Sequence, residues 1–101
     1  MSEPGLKEHS VKEAHDRLDD FYVIDVRFDH EIDGPLGAIE GAERIDRGDL
    51  ADRVEALKGE SLLVVCRSGR RSAAACEALQ ELGHDDVTNL AGGMIAWNEA
   101  G

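Results

Sequence analysis

Two short runs that lack a regular polar face constrain this chain more than any other feature. Phe21-Tyr22-Val23-Ile24-Asp25-Val26 is aromatic and β-branched, and Leu62-Leu63-Val64-Val65 runs straight into Cys66. Neither alternates apolar with polar residues, so each predicts a strand buried on both faces. Segments with helical spacing lie around them. Ser10-Val11-Lys12-Glu13 has capping-box form, serine with glutamate three residues on, and opens a helix to about Leu18. Leu50, Val54 and Leu57 form one apolar helical stripe that stops before Gly59. Ala73, Ala74, Cys76, Ala78, Leu79 and Leu82 line a further helix closed by Gly83. Shorter strands are predicted over residues 6–9, 42–45 and 87–90. About 16 residues carrying Gly34-Pro35, Gly37 and Gly41 read as a long loop, and a terminal helix holding Trp97 follows Gly92-Gly93.

Strands alternating with helices predict an α/β domain whose mostly parallel sheet is covered on both faces. In such sheets ligands bind beyond the carboxyl ends of the strands. Three polar or glycine-rich segments fall at such ends: Asp25-Val26-Arg27, residues 66–71, and Gly92-Gly93. Topology alone brings them to one crevice.

A length of 101 residues suits a single domain over residues 1–101. No apolar stretch is long enough to span a membrane. Met1-Ser2-Glu3-Pro4-Gly5 lacks the pattern of a signal peptide, so a cytoplasmic setting is expected. Two cysteines without C-x-x-C spacing, and four scattered histidines (His9, His15, His30, His84), predict reduced thiols and no metal site. With 22 acidic against 11 basic residues the net charge is −11, which disfavours nucleic acid and anionic membranes as partners.

The segment Val64-Val65-Cys66-Arg67-Ser68-Gly69-Arg70-Arg71-Ser72-Ala73 carries the chemistry. A cysteine between a buried strand and a tight loop faces the next helix's N-terminus, with its unpaired N–H groups and partial positive charge. Arg67, Arg70 and Arg71 add charge, so Cys66 is expected to be a nucleophilic thiolate. Gly69 lets the loop curl its amides inward as an anion nest, and Ser68 and Ser72 offer hydroxyls. An inert core cysteine would not explain three arginines clustered in so acidic a chain. Cys66→Ala is expected to change stability by no more than about 1 kcal/mol, on the premise that the loop is not packed core. Cys76 lies on the helix's apolar stripe and is read as core.

These motifs resemble those of single-domain rhodaneses. Val23-Ile24-Asp25-Val26-Arg27 with Glu31 is similar to the family's D-V-R…E segment, residues 64–72 to its active-site loop, and Asn89-Leu90-Ala91-Gly92-Gly93-Met94-Ile95-Ala96-Trp97 to its closing L-x-G-G-x-x-x-W segment. The resemblance implies a three-layer rhodanese-like fold with a five-stranded, mostly parallel sheet. It implies a sulfurtransferase in which Cys66 takes sulfur from thiosulfate or a persulfide donor and yields it to cyanide, a thiol or a protein acceptor. No cofactor is implied. Arg67, Ser68, Gly69, Arg70, Arg71 and Ser72 would cradle the persulfide and an anionic donor. Asp25, Arg27, Glu31, Gly92, Gly93 and Trp97 would be structural support, with Arg27 expected to pair with Glu31.

One departure is Ala38 in Gly37-Ala38-Ile39-Glu40-Gly41-Ala42, where the family commonly has histidine; its effect is expected on loop packing or donor choice. The fold also resembles that of dual-specificity phosphatases and arsenate reductases. Their loop, His-Cys-x5-Arg, requires an arginine where Ser72 stands, so a phosphatase is disfavoured. A rhodanese-like binding or sulfur-delivery module is the second alternative.

Overall fold

The computed structural model describes residues 7–32 and 34–100. The export-signal reading of residues 1–5, and Leu6 of the first predicted strand, lie outside them. Five strands are present there: β1 (Lys7–His9), β2 (Tyr22–Asp25), β3 (Glu43–Arg44), β4 (Leu62–Val65) and β5 (Val87–Leu90). They alternate with helices α1 (Val11–Asp16), α2 (Asp29–Ile32), α3 (Leu50–Arg53), α4 (Arg70–Glu81) and α5 (Gly93–Glu99). The strands form one sheet in the order β1-β5-β4-β2-β3, and every pairing is parallel. The two apolar runs are therefore neighbours, with Tyr22 opposite Leu62 and Asp25 opposite Val65.

Side-chain parity divides the core. Ile24, Leu62 and Val64 face Leu50, Val54, Leu57, Ala75, Cys76 and Leu79, on the side of α3 and α4. Val23, Leu63 and Val65 face Ala14 and Met94, on the side of α1 and α5. All four β4 residues are fully buried, which makes each worth roughly 1.5–3 kcal/mol of transfer free energy and explains the unbroken apolar run. The capping box forms as read: Glu13 N–H donates to Ser10 Oγ at 3.2 Å, and Ser10 N–H to Glu13 Oε1 at 3.0 Å.

Several boundaries differ from the sequence reading. The first helix stops at Asp16 and gives way to a 3-10 turn, Leu18–Asp20. The long loop contains α2, and α3 is a single turn although Val54 and Leu57 beyond it are still buried. The buried face of α4 is Ser72, Ala75, Cys76 and Leu79, whereas Ala74 and Ala78 are exposed and Leu82 is 47 % exposed. Alanines are too small to declare a face, and Leu82 is the C-cap, where the chain turns away at Gly83 (φ +98°). Among the described residues no helix is long and apolar enough to cross a membrane.

Candidate active site

Leu62, Val64 and Cys66 share one side of β4's path, so the alternation that buries Leu62 and Val64 beneath α4 also aims Cys66 at that helix. Gly69, at φ +98°, turns the chain into the first turn of α4. A Cβ there would lie 3.2 Å from the Gly92 nitrogen and 3.4 Å from the Leu90 carbonyl oxygen, so both conformation and space call for glycine. The curl brings three donors to Cys66 Sγ: Gly69 N–H at 3.1 Å, Ser72 N–H at 3.3 Å and Ser72 Oγ at 3.3 Å. Burial pushes the thiol up. The hydroxyl and N–H of Ser72, with the N–H groups of Gly69 and Ser68, outweigh it and hold the thiol below its ordinary range.

The Gly92-Gly93 pair supports this loop from behind. Met94 N–H donates to the Cys66 carbonyl at 2.9 Å and Ile95 N–H to the Arg67 carbonyl at 3.0 Å. In a trans peptide the N–H points opposite to its carbonyl, so pinning these two carbonyls on α5 turns the next N–H groups the other way. Trp97 is half-buried against the α1–α5 side of the core, beside the His15 ring.

The three loop arginines divide. Arg71 makes two hydrogen bonds to Glu31, at 2.7 and 2.6 Å, and lies over the Phe28 ring. Arg67 and Arg70 are exposed and have no acidic partner among the described residues. The other lysines and arginines whose side chains are described each hold a partner.

The expected Arg27–Glu31 ion pair is corrected. Arg27, 1 % exposed, donates Nε to Asp25 Oδ1 at 2.9 Å, Nη2 to Asp25 Oδ2 at 2.7 Å and Nη2 to the Gly37 carbonyl at 2.7 Å. Glu31 offers Arg27 only its backbone carbonyl, at 3.5 Å, because its carboxylate is engaged by Arg71. Spacing favoured an i,i+4 contact, but residues two apart pair here because the chain has left the strand and folds back. Ala38 is exposed, and the loop is held instead by buried Ile39 and the Arg27–Gly37 bond.

Cys66 is only 1 % exposed and belongs to the buried cluster on the α3–α4 side of the sheet, so the premise that it lies outside the core does not hold. Removing Sγ would also leave N–H groups of Gly69 and Ser72 without their acceptor, at about 1–3 kcal/mol where water cannot replace it. Cys76 is fully buried, and burial, followed by the charges of Glu77, Glu8 and Cys66, pushes its thiol up to about 12. Among the described residues no cluster of His, Cys, Asp or Glu has the makings of a metal site.

Asn89 escaped notice as a site residue. It is 1 % exposed on β5, accepts a hydrogen bond from Ser72 Oγ at its Oδ1, and donates Nδ2 to Glu8 Oε2 at 2.9 Å and the Gly69 carbonyl at 3.2 Å. A buried amide next to the Gly-Gly segment was the available signal. Beside the loop, Arg27, Glu31, Gly34, Pro35, Leu36 and Arg67 line a cavity of about 360 Å³.

The chain is similar to known proteins over most of its length. The family model for the rhodanese-like domain matches residues 10–100. YtwF of Bacillus subtilis is 39 % identical over 89 residues, covering 87 % of this chain and 84 % of that protein. The thiosulfate sulfurtransferase GlpE of Shewanella oneidensis is 37 % identical over 79 residues, covering 77 % and 76 %. The crystal structure of a rhodanese-related protein from Thermoplasma volcanium superposes with a TM-score of 0.84 at 28 % identity, covering 94 % of this chain and 93 % of that one. A parallel sheet ending in a cysteine cradled by amides, matched over most of its length by sulfurtransferase relatives, means that this chain belongs to the rhodanese-like domain family.

Proposed function

We propose that Cys66 carries sulfane sulfur as a persulfide, within one domain spanning residues 1–101. The Cys66 thiolate attacks the outer sulfur of thiosulfate; the S–S bond of the donor breaks, sulfite leaves with the electron pair, and a Cys66 persulfide anion remains. A thiophilic acceptor such as cyanide then attacks the outer sulfur, forms thiocyanate and returns the thiolate. Charge and atoms balance in both steps, and the two displacements predict ping-pong kinetics.

The observation that carries this reading is the set of donors converging on Sγ from Gly69 and Ser72. Those N–H groups suit a sulfur bearing negative charge before and after loading. Exposed Arg67 and Arg70, unneutralised in a chain of net charge −11, favour an anionic donor. Ser72, where a phosphatase loop has arginine, supports sulfur over a phosphoryl group.

Intact-mass spectrometry after thiosulfate incubation tests the proposal. The expected result is a gain of one sulfur atom at Cys66, removed by cyanide and absent from Cys66→Ser. No gain, or a gain elsewhere, overturns it. A protein acceptor is the second reading, favoured by Phe28, an aromatic ring 54 % exposed beside Arg71 at the loop's rim. Ready loading with feeble turnover on cyanide would select it.

A further inference from the structure

The Ser72 hydroxyl has one proton and two acceptors within reach, Cys66 Sγ at 3.3 Å and Asn89 Oδ1. Which end of the Asn89 amide faces Ser72 is fixed by chemistry. Its nitrogen meets the Glu8 carboxylate at 2.9 Å and the Gly69 carbonyl at 3.2 Å, and both can only accept. The amide oxygen is therefore left to face Ser72. While the sulfur is a neutral thiol, the hydroxyl donates to Asn89 and can accept the S–H. When the sulfur is negative, the hydroxyl must rotate toward it, and a buried amide oxygen loses its donor.

We propose that Asn89 is a positioning residue that sets how readily Cys66 takes negative charge, by competing with the sulfur for the single hydroxyl proton of Ser72. The proposal rests on Cys66 being the sulfur-bearing residue and adds a restraint on it. A cradle that bound charge without limit would hold the persulfide too firmly to release it; a competing acceptor tempers the grip. Charged and titratable groups on the elements packed around the loop are Asp25 and Arg27 at the end of β2, Glu31 on α2, Arg67 in the loop itself, Arg70, Arg71 and Cys76 on α4, and Glu8 on β1; of these, Arg71 and Cys76 interact electrostatically with Cys66. None of them hydrogen-bonds the Ser72 hydroxyl.

The test is the pH dependence of iodoacetamide alkylation at Cys66, mapped by mass, in the full chain and in Asn89→Leu, Ser72→Ala and the double variant. Asn89→Leu is expected to move the midpoint down by roughly one unit, about what one charge-assisted hydrogen bond supplies. Ser72→Ala is expected to move it up, and adding Asn89→Leu to Ser72→Ala should change nothing further. An Asn89→Leu midpoint that is unmoved or raised overturns the proposal, as does an equal shift in both backgrounds. Should the leucine variant fail to fold, Glu8→Ala at the exposed sheet edge repeats the comparison by loosening the amide. A downward shift that survives Ser72→Ala would be charge alone and would also overturn it. Thiosulfate loading of the wild type is scored separately: failure to load sinks the sulfur-carrier reading, whereas the alkylation comparison judges Asn89.

Discussion

Gly93 and Cys66 meet backbone to backbone: a Cβ on Gly93 would lie 2.4 Å from the Cys66 carbonyl oxygen and 2.6 Å from that of Arg67. The Cys66 loop thus rests on α5 with no room for a methyl group. Gly93→Ala would combine this clash with the cost of a side chain at φ +59°. A destabilisation of at least about 2 kcal/mol is expected, with loss of sulfur loading. Gly59→Ala is the matched control. It has φ +87° and nothing within 4 Å of the added carbon, so it should lose only about 1–2 kcal/mol and load normally. Thermal unfolding and mass spectrometry of the two variants check this; equal behaviour would show that the close approach is not what holds the loop.

The Asp25–Arg27 pair predicts a different kind of loss. Both side chains are buried, and Arg27 ties the end of β2 to the Gly37 carbonyl. Arg27→Met leaves a buried carboxylate without its counter-charge and should destabilise by about 3–5 kcal/mol in urea titrations. Adding Asp25→Leu removes that orphaned charge, so the double variant should be more stable than Arg27→Met alone. A double variant at least as unstable would assign the loss to packing.

The sheet and the meeting of three strand ends were legible because buried strands and helix caps are local signals. Ser10 and Glu13 announce a helix start, and residues 62–65 announce a central strand, in a few residues each. What stayed illegible depends on partners distant in sequence or on small side chains. Arg71 meets Glu31 across 40 positions, which left Arg27 to the nearer Asp25. Asn89 gained its place through Ser72 and Glu8, on two other elements. Gly93 could be read as special, but only the packing of α5 on the Cys66 carbonyl says why.

The two cysteines should separate cleanly by pH. Alkylation requires thiolate, so its rate rises as pH approaches the thiol pKa and levels off above it. Cys66, held below the ordinary cysteine range despite burial, should reach its plateau at lower pH than a free thiol. Cys76, with its thiol pushed up to about 12, should stay unmodified through the neutral range in the folded protein. Mass mapping after timed alkylation between about pH 6 and 10 reads both in one experiment. Because Cys66 is only 1 % exposed, the comparison rests on the midpoint, which reports ionisation, and not on the absolute rate, which burial also slows. Modification of Cys76 first would reverse the assignment.

The loop arginines differ in their neutralisation, and this should appear in the kinetics. Arg67 and Arg70 lack acidic partners among the described residues, so their charge is available to an approaching anion. Arg71 is held by Glu31, a half-buried pair that joins α4 to α2 and lies next to Phe28. Arg67→Ala and Arg70→Ala should therefore raise the KM for thiosulfate severalfold with little change in Tm, and flatten the dependence of kcat/KM on salt. Arg71→Ala should instead lower Tm, because it removes the two guanidinium bonds that join α4 to Glu31 on α2, and its kinetic loss should persist at high salt, where simple attraction is screened. The same KM and salt response from all three variants would mean that the Glu31 contact does not remove Arg71 from donor binding.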